Sequence, residues 1–282
     1  MSALFILPPF HLTRSLAVAL AITLSVSLTG CAAGLRTSEL QSRLDAWLPA
    51  DVLLLGEQHD APQHQVLQQK IVDALVARGV LAAVALEMAD SGDSTAALKS
   101  DASEANTRIA LRWNNDAWPW AAYGPAVMSA VRAGVPVLGA NLPRAQMRSQ
   151  IADAALDQRL PAAALATQQQ LIRQGHCDLL PESQITPMTR IQIAKDMRMA
   201  DTVQAAVRPG QVVVLITGSV HADKQLGVPQ HLSPALQVKA IRWRSGTAAA
   251  SGERDSFDDV WTTPATPEKE YCADLAKQLQ QR

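Results

Sequence analysis

Hydrophobic residues in this chain fall into short dense runs, separated by longer stretches with helical spacing. Four runs are compact and largely aliphatic: Val52–Leu55, Ala83–Leu86, Pro136–Leu138 and Val212–Ile216. A fifth, Val238–Trp243, alternates more, and Val260–Thr263 reads as a short edge strand. Between them, Gln65–Ala77 sets Val66, Ile71, Val72, Leu75 and Val76 on one stripe, as an amphipathic helix requires. Ala126–Arg132 predicts a shorter helix stopped by Gly134. Met188–Val207, entered through Thr186-Pro187, turns Ile191, Ile193, Ala194, Met197 and Ala200 toward a core. Pro267–Gln280 predicts a last helix, capped by Thr266 with Pro267 in its first turn, where a missing N–H costs nothing. Ser245–Asp259 reads as a surface loop and Pro161–Ala166 as helix surface. Buried strands alternating with helices predict parallel βαβ units. The expected fold class is therefore α/β, an open, mainly parallel sheet with helices on both faces.

The N-terminus has a different pattern. Arg14 and His11 precede a stretch from Ser15 to Leu28 that carries no charge, and Leu28-Thr29-Gly30-Cys31 follows. A basic start, a short apolar core and small residues before a cleavage point make a secretory signal. The apolar run is shorter than the roughly 20 residues that span a bilayer. Leu-x-Gly-Cys resembles the lipobox of bacterial lipoproteins, which implies a signal peptide over 1–30, lipidation at Cys31 and a tether over 31–44. The alternative is an ordinary cleaved signal with an unrelated cysteine. Ala32 rather than Asp follows Cys31, which by the bacterial sorting pattern favours the outer membrane, facing the periplasm.

The remaining chain, one domain over 45–282, is long enough to bury a sizeable core. A formal net charge of −1 and scattered Lys and Arg offer no basic patch, so a nucleic-acid partner is not expected. Two further cysteines, Cys177 and Cys272, are expected to bridge in an oxidising compartment. Without CxxC spacing they do not read as a metal site.

The chemistry sits at the strand ends. The first run ends in Glu57 and His59, the second in Glu87, the third in Asn141 and the fourth, after Gly218, in His221. Ligands of open parallel sheets bind outside the carboxyl ends of the strands, so these residues are expected to meet on one rim. Each also has a plainer reading: Glu57 or His59 as a helix cap, Glu87 paired with Arg144, His221 as a satisfied core residue.

The ordered series Leu55-Gly56-Glu57-Gln58-His59-Asp60 with His64, Ala85-Leu86-Glu87-Met88, Trp118-Pro119-Trp120-Ala121-Ala122-Tyr123-Gly124-Pro125, Gly139-Ala140-Asn141-Leu142-Pro143-Arg144, His176-Cys177, Gln192–Ala200 and Gly218-Ser219-Val220-His221 through Leu232 resembles the ChaN-like haem-binding lipoproteins. Their superfamily also holds Tiki and TraB proteins and erythromycin esterases. The resemblance covers about residues 45–245 and implies haem as cofactor, a homodimer when haem is bound, and a haem receptor or transport system as partner. Haem needs an axial donor, apolar walls and cations for its propionates. Tyr123 is a ligand candidate because tyrosine is scarce; His64, His176 and Met188 are the alternatives. Trp118 and Trp120 would wall the ring, and Arg144 and Arg148 would receive propionates. A second reading is a hydrolase using Glu57, His59, Glu87 and His221, either directly or through a divalent metal held by His59, His221 and one carboxylate. Neither HExxH nor a Gly-x-Ser-x-Gly elbow is present.

Overall fold

The computed structural model describes residues 38–246, 256–267 and 269–280. The expected signal segment, Cys31 and most of the Ser245–Asp259 loop lie outside the described residues. The described residues up to Ala46 belong to one unit and those from Trp47 onward to a second. The described chain opens in a helix, α1, over residues 38–47. The tether expected over 31–44 is therefore helical from residue 38. Leu40 and Leu44 recur at helical spacing, and Arg43 reaches Glu39 one turn back at 3.1 Å, a pairing that favours helix.

In the second unit the elements run β1 (Val52–Glu57), α2 (Pro62–Ala77), β2 (Leu81–Asp90), α3 (Glu104–Ala110), α4 (Trp120–Arg132), β3 (Val137–Asn141), α5 (Arg144–Ala152), α6 (Ala162–Gly175), α7 (Glu182–Ala206), β4 (Val212–Gly218), β5 (Val238–Ser245), β6 (Asp259–Thr263) and α8 (Tyr271–Gln280). The six strands form one sheet in the order β3-β2-β4-β1-β5-β6, every neighbouring pair parallel. This is the open parallel α/β sheet that the run pattern predicts. Side chains alternate across it. Val52, Leu54, Ala83, Ala85, Val213 and Leu215 face Met199, Ala200 and Val203 of α7. Leu53, Leu55, Val84, Leu86, Val214 and Ile216 are equally buried on the other face, where α2 and α4 pack. Each such buried aliphatic side chain contributes roughly 1.5–3 kcal/mol.

Two helices start earlier than the pattern predicts, and proline is the reason. α4 begins at Trp120 and contains Pro125; α7 begins at Glu182 and contains Pro187. Each proline leaves the carbonyl four residues back, on Ala121 or Ser183, without its helical donor. Both of those residues are exposed, so their carbonyls are open to solvent and the helix can run through. Gly134, at φ 70°, ends α4 as expected. The last helix begins at Tyr271 rather than Pro267.

Two irregularities shape the sheet's carboxyl rim. β2 loses register with β3 between Leu86 and Asp90, a bulge that re-aims the intervening side chains. Gly139 lies against this bulge, where a Cβ would stand 2.0 Å from the Asp90 carbonyl oxygen. The outer side of β3 is covered by the chain leaving β2. Ser94 bridges Leu138 antiparallel, Gly139 N–H donates to Asp93 O at 2.8 Å, and Thr95 N–H to Val137 O at 2.9 Å.

Candidate functional site

Three neighbouring strands, β2, β4 and β1, end together, and their tips bring Glu57, His59, Glu87 and His221 into one polar cluster. Glu57, the last residue of β1, is buried and saturated. Its Oε1 accepts the Tyr123 hydroxyl at 2.7 Å and lies 2.7 Å from His59 Nδ1; its Oε2 accepts the amides of Gln65 at 2.7 Å and Gln68 at 2.5 Å. The two glutamines sit one turn apart on α2, so the first βα unit supplies both the carboxylate and its donors.

Glu87 sits in the β2 bulge and is also buried. Oε2 accepts Thr217 Oγ1–H and Gly218 N–H, both at 2.8 Å, and lies 3.9 Å from His59 Nε2; Oε1 lies 3.5 Å from His221 Nε2. Burial disfavours its charge, yet His221, His59, Lys195 and the Gly218 N–H outweigh that and hold its pKa at about 2. His221 closes the far end through Nδ1, 2.5 Å from Asp196 Oδ1 on α7. Burial lowers the pKa of His221, but the Asp196 and Glu87 carboxylates more than reverse this and raise it. Asp196 itself, fully enclosed, is pushed up to about 6.

The result is a line of alternating acids and imidazoles, Glu57–His59–Glu87–His221–Asp196. His59 is the member with side-chain exposure, 38%. Desolvation works against its charge, but the hydrogen bond to Glu57 and the Glu87 carboxylate raise its pKa overall. Trp118 stands edge-on to its ring at 4.9 Å. Gly218 lets the ring sit close, since a Cβ there would meet His59 Nε2 at 3.0 Å. An open, mainly apolar cleft of about 320 Å³ adjoins the ring, lined by His59, Asp60, Val66, Ala121 and Pro125 among others.

Of the plainer readings, that of His221 as a buried, satisfied residue agrees with its pairing to Asp196, whereas those of Glu57, His59 and Glu87 do not hold. α2 has no side-chain cap, and Glu87 takes its partners from β4 and the histidines rather than from Arg144. Asn141 turns its amide oxygen back to Leu142 N–H at 2.9 Å, so it stands on the rim without joining the cluster's recorded bonds.

The residues proposed around haem are distributed differently. Tyr123 is buried between Trp113 and Trp118, at 6.1 and 5.9 Å. Desolvation and Glu57 push its phenol pKa far up, so its proton stays on Glu57's donor. Trp120 is buried, its indole donating to Glu104 at 3.1 Å. His64 is fully enclosed: Nδ1 accepts Gln58 N–H and Nε2 meets Thr263 Oγ1, each at 3.0 Å. Desolvation lowers its pKa to about 4. Arg144 and Arg148 are exposed on α5, and Met188 is half-buried on α7.

His176 is the contrast. It caps α6, half-exposed, with Nδ1 2.8 Å from the Ile172 carbonyl. That bond fixes the hydrogen on Nδ1 and leaves Nε2 as a lone-pair donor, the arrangement metal-binding imidazoles use. The next two residues, Cys177 and Asp178, have left-handed φ values of 58° and 57°; for a cysteine this is a strained conformation of a kind that clusters at functional corners. Cys177 is joined to Cys272, Cα to Cα 5.6 Å, the disulfide expected from the sequence.

The divalent-metal alternative finds no support. Among the described residues no group of three or more His, Cys, Asp or Glu has the arrangement of a metal site. Sequence reasoning missed Gln65, Gln68, Asp196 and Thr217. Gln65 and Gln68, one turn apart just after Gly-Glu-x-His, were visible in the sequence; Asp196 carried no strand-end signal.

A family described as haem-binding uptake, Tiki superfamily, ChaN matches residues 43–232. A solved structure of cofacial heme binding to ChaN of Campylobacter jejuni is similar with a TM-score of 0.62 and 25% identity, over 74% of this chain and 87% of that one. The type III effector HopBA1 (TM-score 0.42, 14% identity, 77% and 88% covered) and a mutant of the erythromycin esterase EreC in its open conformation (0.44, 15%, 78% and 78%) are also similar. No curated protein sequence matches the chain.

Proposed function

The chain belongs to the ChaN family of haem-binding uptake proteins in the Tiki superfamily, and from that premise we propose that it binds haem and handles it for iron uptake, with His176 Nε2 as the nitrogen that would hold the iron. The observation that carries the reading is the state of the imidazoles. Among the described residues, His64 has both ring nitrogens hydrogen-bonded, and His59 and His221 are both set between carboxylates. The Nε2 of His231 is buried. His176 alone combines a carbonyl-anchored Nδ1 with a half-exposed ring. The donor set fits the group: a neutral imidazole suits haem iron, and Leu179, 42% exposed three residues on, offers apolar surface beside it. Bound haem would supply an iron centre for redox or ligand exchange; the chain supplies the donor nitrogen and holds its tautomer. The test is a haemin titration of the mature protein. A Soret band that shifts on binding and is lost in His176→Ala supports the reading; an unchanged Soret band in that variant removes His176, and no band at all removes haem.

The lipobox-like Leu28-Thr29-Gly30-Cys31 supports a lipid anchor at Cys31, placing the domain on the periplasmic face of the outer membrane near a haem receptor or transporter. The cofacial haems of the Campylobacter relative support a haem-bound homodimer. Labelling with radioactive palmitate, abolished by Cys31→Ala, tests the anchor.

One feature favours a second activity at the rim. His59 is braced by Glu57 at Nδ1 and borders an apolar cleft, the arrangement of a general base oriented by a carboxylate. In ester hydrolysis it would take a proton from water. Because its pKa is raised, the rate would climb as pH rises through that value. Hydrolysis of a p-nitrophenyl ester that survives chelators and disappears in His59→Ala supports this; inertness toward a panel of esters removes it.

A further inference from the structure

Consecutive residues of the C-terminal segment are tied to the two histidine-bearing regions. The Tyr271 hydroxyl donates to Asp60 Oδ2, which Lys269 Nζ also approaches at 3.6 Å. Lys269 lies 5.7 Å from the centroid of the Tyr271 ring. Cys272, the next residue, is bonded to Cys177. Asp60 follows His59 and lines its cleft; Cys177 follows His176. Two residues about 3.8 Å apart along the chain thus join the edge of the His59 cleft to the His176 corner.

Little else holds this segment. No described element packs broadly against α8, and Tyr271–Asp274 are exposed. Exposed ion pairs and hydrogen bonds such as those to Asp60 contribute little, so the disulfide, closing a separation of 95 residues, is the dominant tie. At its other end it holds Cys177 in a left-handed conformation that cysteine rarely adopts. The backbone support there is a short local set of N–H bonds: His176 to Ile172 O and Arg173 O, Cys177 to Gln174 O, Asp178 to Arg173 O and Leu179 to His176 O, at 2.9–3.2 Å.

The geometry points to a redox-released strap: with Cys177–Cys272 oxidised, α8 pins the His176 corner to the edge of the His59 cleft, and a dithiol reductant frees both. The haem part of this rests on the reading above. In the step itself a thiolate of the reductant attacks one sulfur of the disulfide, and the other leaves as a thiolate and takes up a proton. The reductant's second thiol then displaces the first cysteine, which is protonated in turn. Two electrons pass to the protein and the dithiol ends as its own disulfide. Oxidised, His176 is held ready for iron, and ordering a donor before binding raises affinity. Reduced, the corner relaxes and haem is released more readily.

The experiment compares oxidised protein, protein reduced with dithiothreitol, and a Cys177→Ser/Cys272→Ser double variant. It uses hydrogen exchange over residues 172–179 and 269–277 and, separately, haemin titration. Expected are faster exchange in both segments on reduction, about tenfold weaker haemin binding, and a double variant that matches the reduced protein and ignores dithiothreitol. Tyr271→Phe keeps the disulfide and is expected to speed exchange around Asp60 only. Unchanged exchange on reduction overturns the strap. Faster exchange with unchanged haemin affinity overturns its link to haem. If no form binds haemin, the haem reading falls while the exchange data still decide the strap.

Discussion

The strand-end rim and the α6–α7 corner both present histidines, under opposite conditions. At the rim, His59 and His221 lie between carboxylates, buried or half-covered, with partners supplied by three elements, β1, β2 and α7. At the corner, the half-exposed His176 ring is anchored by one backbone carbonyl on a strained, disulfide-held turn. An imidazole between acids is tuned to hold protons; one pinned to a carbonyl is tuned to donate a lone pair. The difference shows why counting histidines at strand ends locates proton chemistry but does not locate a metal donor.

The contrast breaks most visibly at Glu57. Glu57→Ala strands the Tyr123 hydroxyl, two buried glutamine amides and His59 at once, and loss of roughly 3–5 kcal/mol is expected in urea unfolding. A loss below about 1 kcal/mol would mean the rim is not the tightly satisfied network described. Next in size, His176→Ala is expected to weaken haemin binding roughly tenfold to a hundredfold with an unchanged melting temperature, whereas His59→Ala should leave the Soret band in place. The reverse outcome would exchange the roles of the two regions.

Proton linkage sharpens the rim's side of the contrast. His221 has a raised pKa when folded, so its stabilisation is complete below its ordinary value of 6.5 and is lost as pH rises through the folded value. Asp196, pushed up to about 6, acts in the same sense at lower pH, favouring the fold while protonated. Glu87, held at about 2, acts oppositely: it stabilises above its ordinary 4.5, and this is lost as pH falls toward 2. Urea midpoints should therefore decline as pH rises above 6.5 and through the raised His221 value, and Asp196→Asn should flatten that decline. An equally steep decline in the variant would place its origin outside the rim. The smallest expected effect is that of Gly218→Ala. The added methyl would stand 3.0 Å from His59 Nε2 and 3.6 Å from Glu87 Oε2, costing about 1 kcal/mol and shifting the His59 titration seen by NMR.

The sheet was legible because its strands are buried on both faces and so read as unbroken aliphatic runs. Its strand-end cluster was legible because β1, β2 and β4 each finish on an acid or imidazole. What was hidden depended on contacts that leave no period in the sequence. Asp196 lies inside α7, where an acid reads as solvent-facing until His221 is seen opposite it. α5 buries no residue, so no apolar stripe announced it. Tyr123 was singled out for its rarity, and the structure gives its hydroxyl a partner, Glu57, that no spacing rule connects to it. His64 reads as part of the Gly-Glu-x-His neighbourhood, yet its inward face on α2 makes it a strut between Gln58 and Thr263.

The return of Asp93–Thr95 along β3 has a consequence for assembly. With Gly139 N–H and the Val137 carbonyl already occupied by the molecule's own backbone, that flank has no ladder left to extend a neighbour's sheet, and any strand-on-strand growth is confined to the opposite edge at β6. Copies that meet at the β3 flank must do so through side chains instead, and such contacts are readily reversed by dilution or a single surface charge.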